Sequence, residues 1–216
     1  EQHSPDAYPD QQRTRQGILR LLANSPELSG GQLALHANLM LNTTPMEWQL
    51  QPGRVIDNVA ITPQMCQGWL RYMAPIVADA TRVEGRFSLD VESGRFPLDS
   101  PMQGESHGVL SIHGAEVRSG PLTQSYVMLA RNLEALVKAK PASAIDQGSA
   151  TFLTLPPQQV SYRMVQNRVY HQNLVVQSGD VRVITSGWVD ANQQMQLTAS
   201  IPIQDNWIEK APWLAS

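Results

Sequence analysis

The stretch Arg82-Val83-Glu84-Gly85-Arg86-Phe87-Ser88-Leu89-Asp90-Val91-Glu92 decides the fold class, because Val83, Gly85, Phe87, Leu89 and Val91 share one parity and the polar residues share the other. A period of two is that of a β-strand, whose successive side chains point to opposite faces. The segment is therefore expected to be a strand with one dry side and one wet side.

Strand signals continue on both sides of it. Toward the C-terminus, Gly104 to Val117 reads as a strand around Val109-Leu110-Ser111-Ile112-His113. From Ser149 onward the strands are Ala150 to Leu155, Gln159 to Gln166, Arg168 to Gln177, Asp180 to Val189 and Gln193 to Ile203. Pro156-Pro157, Asn167, Ser178-Gly179 and Asp190-Ala191-Asn192 separate them, and each suits a tight reversal. Toward the N-terminus, Gln32 to Leu41, Trp48 to Gln51 and Arg54 to Ile61 are divided by Asn42-Thr43-Thr44-Pro45 and Pro52-Gly53, which predicts three more strands.

Three helices are expected among these strands. Asp10 can cap a first one in which Ile18, Leu19, Leu21 and Leu22 cluster, ending at Asn24-Ser25-Pro26. Thr62-Pro63 supplies an N-cap and a first-turn proline for a second, running through Met65, Trp69, Leu70, Met73, Ile76 and Val77, with Pro75 kinking or interrupting it. Val127, Leu129, Ala130, Leu133, Leu136 and Val137 recur at helical spacing in a third, from about 122 to 139. The predicted fold is α+β: a curved antiparallel β-sheet, built as a meander, with about three helices packed on or beside it. Residues 1–9 read as a linker, 10–148 as a mixed part carrying the three helices, and 149–216 as a meander continuing the same sheet.

Composition narrows the function classes. At 216 residues the chain can bury a sizeable core, and Cys66 alone can form neither an internal disulfide nor a cysteine-based zinc site. A net charge of −3, with Lys138, Lys140 and Lys210 the only lysines, argues against nucleic acid as a partner. No apolar run is long enough for a membrane span. Glu1 at the start, and Leu214-Ala215-Ser216 following an apolar stretch, suggest a segment of a longer polypeptide whose signal or anchor lies elsewhere.

Several motifs look chemical, yet their surroundings favour structural roles. Gly104-Glu105-Ser106-His107-Gly108 fits the G-x-S-x-G elbow of hydrolases, which requires a strand before the serine and a helix after it. Here a proline-bounded loop precedes it and an alternating stretch follows. Leu28-Ser29-Gly30-Gly31-Gln32 spells the signature pentapeptide of ABC-transporter ATPases, but the chain has no phosphate-binding loop, so a Gly-Gly turn is expected. His36, His107, His113 and His171 lack metal-ligand spacing, His3 stands in the linker, and the acids are scattered singly. Trp48, Trp69 and Trp188 suit core packing, whereas Trp207 and Trp213 could form a docking tail. No catalytic residue, cofactor or metal is expected.

The run Asn167-Arg168-Val169-Tyr170-His171-Gln172-Asn173-Leu174-Val175-Val176, then Ser186-Gly187-Trp188-Val189-Asp190, then Met195-Gln196-Leu197-Thr198-Ala199-Ser200-Ile201-Pro202-Ile203, resembles the C-terminal repeats of AsmA-like and TamB-like envelope proteins. More faintly, Gly53-Arg54-Val55-Ile56 and Val83 to Leu89 resemble the same family. The resemblance implies a periplasmic segment of a large membrane-anchored protein, in which stacked strands offer an apolar inner face to lipid acyl chains, in lipid transport and outer-membrane biogenesis. Val83, Phe87, Leu89 and Val91, and later Met195, Leu197, Ala199 and Ile201, are the candidate inner face. Two other arrangements stay open: helices that close these faces into an ordinary core, and a structural module that docks to the rest of its own polypeptide or to an envelope partner.

Overall fold

A computed structural model describes residues 18–78, 80–118, 128, 132, 135, 152–179 and 181–202. Eleven strands form one sheet in which every pairing is antiparallel. They are β1 (Ile18–Leu28), β2 (Gly31–Met40), β3 (Glu47–Leu50), β4 (Gly53–Ala60), β5 (Arg82–Pro97), β6 (Glu105–Arg118), β7 (Phe152–Leu155), β8 (Gln158–Val165), β9 (Arg168–Ser178), β10 (Val181–Asp190) and β11 (Met195–Ser200).

These strands occupy nine lanes in chain order. β3 and β4 both lie between β2 and β5, while β7 and β8 both lie between β6 and β9, so each pair is one lane with a break in it. The breaks fall at Gln51-Pro52 and Pro156-Pro157, as expected for a residue that cannot donate to the ladder. Both leave the register count intact: Leu50↔Gly94 steps to Gly53↔Val91, and Leu155↔Ala115 steps to Gln158↔Ile112. Each face of the sheet therefore stays one continuous surface across the break.

The first expected helix is instead a strand. Ile18 to Leu28 pairs along its length with β2, and the turn between them is Ser29-Gly30, both at positive φ (49° and 71°). A two-residue turn of that hand matches strand twist and closes a hairpin. The pentapeptide at 28–32 is thus a hairpin turn, and pairing with β2 overrides the local helical clustering of Ile18, Leu19, Leu21 and Leu22.

The second expected helix is present over 63–73 (α1), as turns Pro63–Met65 and Arg71–Met73 joined by a π-helical turn Cys66–Leu70. Thr62 Oγ1 accepts the Met65 N–H at 3.2 Å. Pro75 ends the helix at Met73, and a 3-10 turn Pro75–Val77 follows. Of the third expected helix, only Met128, Asn132 and Ala135 are among the described residues, and they are helical. The 1–9 linker and the Trp207–Trp213 tail lie outside the described residues.

One core joins α1 to the sheet. Cys66, Leu70, Ile76 and Val77 pack with Val59 of β4, Phe87 of β5, Leu110 and Val117 of β6, Leu153 of β7, Val160 of β8 and Leu174 of β9. Trp69 lies on Phe87, with ring centroids 5.2 Å apart. At its other end, Arg71–Met73 rests against β9 and β10. Burying a Phe or Leu side chain contributes about 1.5–3 kcal/mol, so this cluster is a principal source of stability.

Candidate functional site

The candidate inner-face residues lie on one side of one sheet. Register places Val91, Gly108, Tyr162, His171, Gly187 and Leu197 opposite one another across β5, β6, β8, β9, β10 and β11, and direct partners share a face. The two sets are nevertheless in different environments. Phe87, Leu89 and Val91 are buried and Val83 is partly buried, whereas Met195 and Ala199 are exposed and Leu197 and Ile201 are partly exposed.

The region under α1 is full. The void bordered by Leu70, Val77, Phe87, Leu110 and Val117 measures about 20 Å³, room for roughly one water. No acyl chain fits there. Beyond it, a second row runs Ala37, Leu50, Gly94, Ser106, Met164, Val169, Val189, Met195 through β2, β3, β5, β6, β8, β9, β10 and β11. Its one polar member is Ser106, and none of the row belongs to the cluster under α1. At the β2, β3 and β5 end the same face continues through Leu39, Trp48 and Phe96. Past the ends of those strands lies a pocket of about 690 Å³ lined by Leu41, Met46 and Leu98. These three and the nearby Met102 are 40–48% exposed.

Within this face His171 is 1% exposed, and neither ring nitrogen has a hydrogen-bond partner. Burial lowers its pKa to about 4. Tyr162 lies directly opposite, over Gly108, where an added Cβ would sit 2.0 Å from the Asp90 carbonyl oxygen and 3.0 Å from the Tyr162 ring. Only glycine leaves room for the tyrosine on that strand.

The polar groups of the hydrolase-like motif are dispersed. β6 runs on from Ser106 to Arg118, so a strand and not a helix follows the serine. Ser106 is 6% exposed, and its hydroxyl donates to the Ser93 carbonyl at 3.0 Å. His107 points to the other face, where its Nδ1 lies 2.7 Å from Ser93 Oγ and its Nε2 lies 3.5 Å from Glu92. Further along that face, Ser88 Oγ donates to Asp57 at 3.2 Å, accepts from Asn58 N–H at 2.9 Å and lies 2.8 Å from His113 Nε2. With Ser88 0% exposed, these contacts fasten β4, β5 and β6 together rather than present a nucleophile.

No family model, curated protein or solved structure matches this chain.

Two features were not legible in the sequence. One is the eight-strand apolar row, which draws its members singly from eight strands and is assembled only by register. The other is a cleft of about 560 Å³ bordered by Ser93, Arg95, Glu105, His107 and Arg163. Its only sequence signal is Ser93-Gly94, where the alternation of residues 82–92 stops. Among the described residues, no helix is long and apolar enough to cross a membrane, and no three His, Cys, Asp or Glu side chains gather as a metal site.

Proposed function

We propose that this chain is a non-catalytic, periplasmic segment of an AsmA-like membrane-anchored envelope protein, and that its inner sheet face carries lipid acyl chains between membranes. The supporting observation is the apolar row from Ala37 to Met195. It lies outside the core closed by α1 and ends in exposed side chains, at Met195 on one edge and near Leu41, Met46 and Leu98 at one end. Ala37, Gly94, Ser106, Val169 and Val189 of the row are themselves buried, and the exposed apolar side chains stand at its margins, where such surface marks a site that something else covers.

α1 packs on β5 and also reaches β9 and β10. From β4 to β10 is five lane spacings, ~24 Å in a flat sheet. α1 covers one part of the inner face, and the eight-strand row lies outside its cluster. The edge strand β11, which among the described residues pairs with β10 alone, gives a place for the sheet to continue into the rest of the polypeptide.

Native mass spectrometry of the chain purified from cells, followed by lipid extraction, tests this reading. The expected result is co-purifying phospholipid that Met164→Asp with Val169→Asp removes. A lipid-free chain that also fails to take up a fluorescent fatty acid would overturn it.

A further inference from the structure

A β-bulge builds a second site on the opposite face. Val91 pairs with Gly108 and Ser93 with His107, so Glu92 is an extra residue in β5. Strict alternation from Val91 would turn Ser93 and Arg95 inward, and the bulge turns both outward instead. They join His107, across from Ser93, and Arg163, across from His107 on β8. These four border the 560 Å³ cleft at the ends of β6 and β8, with Glu105 the one acid on its lining. Glu92 reaches His107 as well, so the cleft offers two guanidinium groups without an excess of positive charge.

The charges are available. Among the described residues, the side chain of neither Arg95 nor Arg163 takes part in an ion pair or hydrogen bond, although those of three other arginines of the sheet, Arg54, Arg82 and Arg86, do. His107, held between Ser93 and Glu92, has its ring fixed at the cleft wall. We infer that this cleft binds a phosphate group, with Arg95 and Arg163 gripping its oxygens beside the fixed ring of His107. Paired guanidinium groups suit a phosphate because each presents a planar fork of donors to two oxygens. Met164, on the cleft's lining and also in the apolar row, gives the site an apolar margin. The inference does not depend on acyl chains occupying the inner face.

The full chain is titrated with inorganic phosphate while the His107 imidazole resonances are followed by NMR, and is separately floated with vesicles of phosphatidylcholine with or without phosphatidic acid. Wild type is expected to respond to at least one phosphate source. The double variant Arg95→Gln, Arg163→Gln is expected to weaken that response about tenfold or more. Arg182→Gln, exposed on β10, leaves it unchanged. Loss of response to inorganic phosphate alone marks a soluble phosphate ligand, loss with phosphatidate vesicles alone marks a lipid headgroup, and loss with both marks a site open to either. No response to either probe, or an equal response from the double variant, overturns the inference.

Discussion

β5 and β11 carry the same alternation of apolar and polar residues, yet Phe87 of β5 is 0% exposed while Met195 of β11 is 43% exposed. Both sets point to the same side of the same sheet. What separates them is position: β5 is a central lane beneath α1, and β11 is an edge lane that α1 does not reach. The comparison teaches that alternation marks a face, whereas the elements packed on that face decide whether it becomes core or exposed surface.

The comparison is broken most directly by truncation. Phe87→Ala should destabilise the fold by about 4 kcal/mol in urea denaturation, because it opens a cavity in a tightly filled core. Equal losses from Phe87→Ala and Leu197→Ala would show that the two faces are not distinct.

A second prediction sharpens the boundary between them at His171. Its folded pKa is about 4, against roughly 6.5 in an unfolded chain. Above about pH 6.5 both states are neutral and the native state keeps its full stability. As pH falls toward 4 only the unfolded chain takes up the proton, so stability is lost, on the order of 3 kcal/mol from this group. Denaturation midpoints measured from pH 7 to pH 4 should fall accordingly, and His171→Leu should flatten that dependence. An unchanged slope in the variant would place the imidazole in water.

Smaller effects test the cover itself. Thr62→Ala removes the cap that starts α1 and should lower stability by about 1 kcal/mol without reducing lipid uptake. Met195→Ala should change stability by no more than about 0.5 kcal/mol, since it is already 43% exposed on an edge strand. Its effect should appear instead in the exchange rate of a bound fatty-acid probe.

Much of the fold was legible before any coordinates. Asn167, Ser178-Gly179 and Asp190-Ala191-Asn192 mark the turns between β8, β9, β10 and β11, and Thr62-Pro63 marks the start of α1. β1 was misread because Ile18, Leu19, Leu21 and Leu22 cluster as they would on a helix. The better signal was the Ser29-Gly30 turn, which demands a strand on each side and not only after it. The candidate site was less legible. Phe87, Leu89 and Val91 were recognisable as inward-facing, but nothing local distinguishes an inward residue under a helix from one beside it. Ser93 and Arg95 were hidden because a single extra residue, Glu92, reverses their parity.

The sequence by itself determined the strands, their turns and which parity is apolar, since these depend on side-chain period and on the backbone preferences of Gly, Pro and Asn. Tertiary structure alone decided which stretch of the apolar face packs under α1 and which lies outside that cluster. It also decided that Arg95 and Arg163, 68 positions apart, border one cleft. The reason is that register and covering contacts join residues distant in the chain, and no local pattern records which lane a strand will take.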